Sequence, residues 1–336
     1  MSKALFITHA DAGVGGGHLS RSFALSEGLA TFGVASSWIL NEESAEQAAS
    51  FGLEDVLFLP DPFTSDIPID RDARFAVVDS YASRGSFYAA VARRLPLVAI
   101  DDLGSLSARG GERFCRILID YGLTASRKGD VVDAKGAQDA KNTKESVSYL
   151  IGPHYTLLRS EFWDATAHEG TYALFVPGAA DTAHASEGIV DLWCMDWPPL
   201  KIVLGPLVSK ERTRNLQAAL HLRERGNISV ELAPKHFVSL MANAGLVLCT
   251  ASVVSCEALA LEKRTALFRV AGNQDETGAF VAAKKAAFDM GKWEDVSRDT
   301  LFEALRFRPD ERALKGLVNR RGSIACAGEI LRLLDE

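Results

Sequence analysis

His18 follows three consecutive glycines, Gly15, Gly16 and Gly17, in the stretch HADAGVGGGHLSRSFAL that runs from His9 to Leu25. Glycine reaches backbone conformations that other residues avoid and lets a ligand approach the main chain closely. The residues after His18 have helical spacing, so the loop opens onto a helix start, where unpaired N–H groups favour an anion by about 0.3–1 kcal/mol. The same dipole opposes positive charge, which suits an imidazole in the first turn to act as a neutral general base. The plainer role for such a ring is a helix cap or a packing residue.

A dinucleotide site is the first rival, since Gly13, Gly15 and the glycines after them superficially fit GxGxxG. In that fingerprint a small residue is needed for close helix packing where His18 stands. The second strand also ends at Asn41 in SSWILNEES, not at the acidic residue that would hold a ribose.

Such a loop needs a strand to deliver it and a helix to receive it. Short apolar runs, among them ALFITHA, SSWIL, DVLFL, FAVVDS, LVAIDD and RILID, recur through the first part of the chain. YALFVPG, LKIVLG, ISVELA, GLVLCTAS and TALFRVA follow in the second. Between them lie helical spacings at 19–32, 87–95, 213–225, 236–244 and 255–262. This alternation predicts an α/β chain with parallel sheets covered on both faces. The regularity breaks between Ala125 and Val147, a polar, lysine-rich stretch that reads as an exposed insertion. Two α/β domains follow, 1–152 carrying the glycine and histidine loop and 153–336 ending in a helical tail from Arg312, interrupted by Gly322. In such sheets ligands bind outside the carboxyl ends of the strands.

Composition narrows the partners. With 336 residues, 47% hydrophobic and 24% charged, the chain is an ordinary globular protein able to bury a large core. A formal charge of −7 without a dense Lys/Arg cluster argues against nucleic acid. Five cysteines without a CxxC pair suggest neither a disulfide framework nor a zinc knuckle, and the histidines show no metal-ligand spacing, so no metal and no cofactor is expected. The short apolar run at the N-terminus and the lack of eighteen consecutive apolar residues predict a cytoplasmic protein without stable membrane insertion. Nothing in the sequence fixes an oligomeric state.

Other strand ends offer polar groups to the same cleft. Asp79 and Tyr81 end FAVVDS and should face it, to orient His18 or bind a sugar; Asp101 and Asp102 end LVAIDD and equally suit helix capping. At TASVVSCEAL a strand ends in small residues, including Ala251, and a helix begins near Ser252 to Ser255, whose N–H groups and hydroxyls suit a diphosphate or a simple cap. Asn273 and Gln274 in GNQDE follow TALFRVA and present donors and acceptors for sugar hydroxyls and N-acetyl groups, or form a turn.

These motifs carry a resemblance. GGGHLSR with His18 and Arg21, FAVVDSYA, AIDD, GPHYTLLRSEF, ASVVSCEALAL and GNQ occur in the order seen in the UDP-sugar hydrolase family of pseudaminic acid biosynthesis, across most of residues 3 to 290. That family is similar to glycosyltransferases with two Rossmann-like domains facing each other across a cleft, the GT-B type. The resemblance implies release of UDP from UDP-2,4-diacetamido-2,4,6-trideoxy-β-L-altropyranose, on a route to glycoconjugates such as flagellin. His18 would activate the attacking water, and Glu257 would hold the ribose hydroxyls. Gly178 and Asp181 match the family's phosphate loop, but Ala179 and Ala180 replace its second glycine and hydroxyl, and Asp120 stands where the family has asparagine. Tyr155 and Arg159 match a hinge. A glycosyltransferase with a UDP-sugar donor and a non-catalytic nucleotide-sugar-binding protein remain as alternatives.

Overall fold

A parallel strand pair needs a crossover connection, and the crossover helix then covers a face of the sheet. The computed structural model describes residues 2–11, 16–70, 72–125 and 147–336, and the chain makes this arrangement twice. The first sheet contains β1 Lys3–Ile7, β2 Ala35–Asn41, β3 Val56–Leu59, β4 Ala73–Asp79, β5 Leu97–Ile100, β6 Ile117–Asp120 and β7 Ser148–Ile151. Its helices are α1 Gly17–Ala30, α2 Ala45–Ser50 and α3 Gly85–Ala92. The second sheet contains β8 Ala173–Val176, β9 Leu200–Leu204, β10 Ile228–Leu232, β11 Leu246–Thr250, β12 Thr265–Arg269 and β13 Phe288–Lys292. Around it lie α4 Ala185–Leu192, α5 Lys210–Leu222, α6 Phe237–Ala242, α7 Val253–Ala260, α8 Asp275–Ala283 and α9 Arg298–Arg306, followed by α10 Glu311–Leu314 and α11 Gly322–Asp335.

Strand orders are β3-β2-β1-β4-β5-β6-β7 and β10-β9-β8-β11-β12-β13, with parallel pairing throughout. In each sheet the chain works outward from its first strand and then crosses to the other side. The order therefore reverses between β1 and β4 and between β8 and β11, the switch points where doubly wound sheets bind ligands.

Every strand run read from the sequence is present, and β7 and β13 are additional. Both additions lie at sheet edges, where half-exposed residues and, in β13, Asp289, Gly291 and Lys292 interrupt the apolar run. The insertion expected between Ala125 and Val147 falls on residues 126–146, outside the described residues.

The C-terminal tail does not form one helix from Arg312; α11 begins at Gly322 and crosses back onto α1. A Cβ on Gly28 would lie 2.3 Å from the Ser323 carbonyl oxygen, and one on Gly322 2.3 Å from that of Thr156. Only glycine permits backbones this close. Cys326, Ala327 and Ile330 of α11 then join Leu19, Leu25 and Leu29 of α1 in the core against the first sheet. The end of the chain thus braces the helix that carries His18.

Candidate active site

Beyond β1 the chain enters the first switch point. Gly13 and Gly15 lie outside the described residues, but both flanks of their loop are held. The Ala10 N–H donates to Asn41 Oδ1 at 3.1 Å and to Ser44 Oγ at 2.8 Å, while Asn41 Nδ2 donates to the Ala10 carbonyl at 3.1 Å. Gln47 Nε2 donates to the Gly16 carbonyl at 3.0 Å. Asn41, which spoke against a dinucleotide in the sequence, is therefore committed to holding Ala10. Ser44 and Gln47 were missed, and only the fold brings them there.

His18 is the second residue of α1 and 2% exposed. It does not cap the helix, since no side chain does so at that end. Its Nδ1 lies 2.6 Å from Asp79 Oδ1, at the carboxyl end of β4. A ring that donates from Nδ1 to a carboxylate keeps Nε2 as an acceptor, a tautomer assigned here from its partner. Nε2 is buried and, among the described residues, without a partner.

Asp79 is fully buried and accepts from Arg21, one helical turn from His18, on both oxygens, from Nε on Oδ2 at 2.5 Å and from Nη2 on Oδ1, the oxygen that also faces His18, at 2.6 Å. Burial on its own would raise the Asp79 carboxyl, but the charge of Arg21 and the hydrogen bonds from Arg21 and His18 outweigh it and hold the group below the usual carboxylate range. Arg21 is itself 2% exposed and reaches Asp102 Oδ2 at 2.6 Å and the Tyr121 hydroxyl at 3.0 Å through Nη1. Tyr81 donates to Asp102 Oδ1 at 2.7 Å and sets its ring edge-on to His18 with centroids 4.3 Å apart. Asp79 and Arg21 thus stand behind His18 as its support, and Tyr81 beside it. Asp101, by contrast, accepts from the N–H groups of Ser105 and Leu106 at 3.0 and 2.9 Å, a loop-capping role. Asp120 accepts from the Gly122 N–H at 3.3 Å.

Across the cleft, α7 points its first turn at α1: a Cβ on Gly17 would lie 3.9 Å from Val253 Cγ2. The first turns of the two helices, each with N–H groups that lack intrahelical partners, therefore lie side by side. Ala251 is buried at the end of this approach, and Ser252 is exposed with its hydroxyl paired to that of Thr250 at 2.8 Å. Ser255 is fully buried and donates to the Ser252 carbonyl at 2.6 Å, which makes its hydroxyl part of the turn. Glu257, also buried, lies 3.6 Å from Arg159 Nη2. Burial pushes its carboxyl up to about 7, with Arg159 opposing.

The remaining candidates follow the carboxyl ends of β8 and β12 and have local partners. Gly178 has φ of +96°, and a Cβ on it would lie 3.7 Å from Thr250 Oγ1. Asp181 caps α4, accepting from the N–H groups of Ala185 and Ser186 at 2.8 and 3.2 Å and from Arg212 Nη2 at 2.6 Å. Gln274 accepts from the Val270 N–H at 2.9 Å, and Asn273 beside it is exposed. A shallow cavity of about 310 Å³ lined by Glu187, Ser209 and Arg212 lies apart from His18, at α4 and α5. Among the described residues no group of three or more His, Cys, Asp or Glu side chains is placed to hold a metal, and no helix is long and apolar enough to cross a membrane.

No family model matches the chain, and no curated protein matches it. Solved structures do. MurG of Acinetobacter baumannii aligns over 100% of this chain and 99% of its own, with TM-score 0.55 and 12% identity. The spinosyn rhamnosyltransferase SpnG aligns over 100% of both chains, with TM-score 0.60 and 14% identity. UDP-GlcNAc 2-epimerase from Methanocaldococcus jannaschii aligns over 98% of this chain and 99% of its own, with TM-score 0.55 and 11% identity. The chain has the GT-B fold. At such identities the likeness extends to the arrangement of the two sheets and not to the chemistry between them.

Proposed function

We propose that this GT-B chain cleaves the anomeric C–O bond of a UDP-linked sugar, with His18 as the base that takes a proton from the incoming oxygen. The observation that carries the reading is the buried His18 ring, tied through Nδ1 to Asp79 at 2.6 Å with Nε2 left as an acceptor. Proton removal by a positioned imidazole accelerates such steps by about 10²–10⁴-fold. The departing UDP carries the bonding electron pair, and N–H groups at the start of α7, from Ser252 onward, are suited to that charge. Glu257 would hold the ribose, while Asn273 and Gln274, at the end of β12, would meet the sugar. Residues 1–152 then supply the base and residues 153–336 the nucleotide site, with α11 returned to the first half.

Two oxygen nucleophiles fit this scheme. Transfer to an acceptor hydroxyl is supported by the fold's company, which includes MurG and a rhamnosyltransferase. Hydrolysis of UDP-2,4-diacetamido-2,4,6-trideoxy-β-L-altropyranose is supported by the ordered motifs around His18, Arg159 and Gln274. The test is incubation with this sugar nucleotide and with UDP-GlcNAc in isotopically heavy water, followed by mass spectrometry. Label in the free sugar is expected for hydrolysis; UDP release only when an acceptor is added identifies transfer. His18→Ala should lower UDP release about 10²–10⁴-fold while UDP still binds. Label in the nucleotide, or full activity without His18, overturns the scheme.

A further inference from the structure

His9 is a second imidazole at this switch point, and the scheme above leaves it without a task. It stands just beyond β1, is 7% exposed, and has its ring centroid 5.0 Å from that of His18. Phe63 covers it edge-on at 5.1 Å. His9 Nδ1 faces Asp11 Oδ2 at 3.4 Å, which puts the ring proton on Nδ1 and leaves Nε2 as an acceptor. Like His18 Nε2, that atom is buried and has no partner among the described residues. Each unpartnered buried polar atom costs about 1–3 kcal/mol, and here two such atoms belong to rings whose centroids lie 5.0 Å apart. Burial first, and the neighbouring His18 second, lower the His9 pKa, although Asp11 and Asp79 oppose them, and so keep the ring neutral and accepting near pH 7.

Water has two hydrogens to donate and an alcohol has one. Two acceptors each about 2.8 Å from one tetrahedral oxygen stand about 4.5 Å apart, the scale of the separation between these rings. We propose that His9 is a specificity-determining residue that, together with His18, grips the nucleophile by two hydrogens and thereby selects water over an alcohol. It rests on nucleotide-sugar cleavage at His18. In the step, the water oxygen bonds to the anomeric carbon as the bond to the β-phosphate oxygen breaks, and the electron pair leaves with UDP. One water proton passes to His18 Nε2. The other, held by His9, remains as the hydroxyl hydrogen of the released sugar. An alcohol in the same place satisfies His18 and leaves His9 Nε2 unpaired.

The experiment compares the full chain with its His9→Phe and His9→Gln variants on UDP-2,4-diacetamido-2,4,6-trideoxy-β-L-altropyranose and UDP-GlcNAc in buffer containing methanol. Mass spectrometry counts free sugar against methyl glycoside, and thermal melts report folding. His9→Phe should form free sugar about 100-fold more slowly and raise the ratio of methyl glycoside to free sugar at least about tenfold. His9→Gln, whose amide oxygen reaches toward the Nε2 position, should restore part of the preference for water. Should His9→Phe fail to fold, His9→Asn, with an amide too short for that reach, carries the same expectation. An unchanged product ratio, whether both products fall together or neither does, overturns the role of His9 alone. If the unaltered chain releases UDP from neither substrate, with or without methanol, nucleotide-sugar cleavage fails and this role with it.

Discussion

Replacing Asp79 with asparagine keeps the side chain's shape and removes its charge from the least accessible point of the site. Both carboxylate oxygens are engaged, by His18 at 2.6 Å and by Arg21 at 2.5 and 2.6 Å. An amide offers one acceptor where two are used, and its NH2 must face a donor. Removing one partner of a buried ion pair costs about 3–5 kcal/mol. Arg21 keeps Asp102 at 2.6 Å, so the lower end, about 3 kcal/mol, applies, a fall in Tm of the order of 5 °C. The rate should suffer more. Without the carboxylate nothing fixes the proton on Nδ1, and in the other tautomer Nε2 is no longer a base; a loss of about 10⁴-fold in UDP release is expected, as when a buried aspartate is neutralised behind a catalytic histidine. The pH dependence has a definite sign. Asp79 is held below its unfolded value of about 3.9, so its stabilisation is complete well above that pH and shrinks as the pH falls below it. Calorimetric melts of the two proteins should therefore differ by a constant amount from about pH 5.5 to 8 and converge below about pH 4. A variant that melts with the parent over the whole range, or keeps more than about a tenth of the UDP release, refutes the reasoning.

Glu257 gives the opposite pH trend: its carboxyl rises from 4.5 to about 7, so the folded state is most favoured while the group is protonated and loses stability as the pH climbs through that window. Glu257→Gln should gain on the parent by about 3 kcal/mol between pH 4.5 and pH 8 in urea titrations. If Glu257 holds ribose as a carboxylate, UDP affinity measured by calorimetry should rise with pH through about 7 in the parent and stay flat in Glu257→Gln. Gly28→Val places a side chain against the Ser323 carbonyl, 2.3 Å from the Cβ position, and should cost about 1–3 kcal/mol in thermal melts, with UDP release falling as α1 is displaced.

Much of the fold is legible because its strands are buried on both faces and read as unbroken apolar runs, as in FAVVD and LVAI. Edge strands such as β13 escape, since FDMGK owes its pairing to β12 and not to its own composition. The tail shows the same limit. Helical spacing in its residues was visible, but that α11 would cross onto α1 depended on Gly28 and Gly322, two glycines that a sequence reading takes for weak helix formers. At the site, His18, Asp79 and Tyr81 could be named because they lie at strand ends and a glycine loop, and Arg21 because it belongs to the GGGHLSR motif of the resemblance. Their pairing could not, because it joins residues up to 61 positions apart. Ser44 and Gln47 carried no signal, being ordinary polar residues until the turn after β2 and α2 set them beside Ala10 and Gly16.

The sequence argument for His18 as a base rested on the helix dipole, and the structure adds a stronger field that acts when the ring takes up a proton. A dipole opposes an imidazolium in the first turn by about 0.3–1 kcal/mol. Opposite unit charges 4 Å apart attract by about 4 kcal/mol at an effective dielectric constant near 20, and Asp79 is closer than that. Arg21 offsets part of this attraction, with Nη2 only 3.2 Å from the same ring nitrogen. Arg21 is also matched by Asp102, so the formal charges of Arg21, Asp79 and Asp102 sum to one negative before reaction. A proton taken up by His18 cancels that surplus inside a water-poor cluster. The same group of residues therefore holds the ring in its accepting tautomer while substrate is intact and compensates its charge once the bond has broken, which is the differential stabilisation a base must have to raise the rate rather than merely bind.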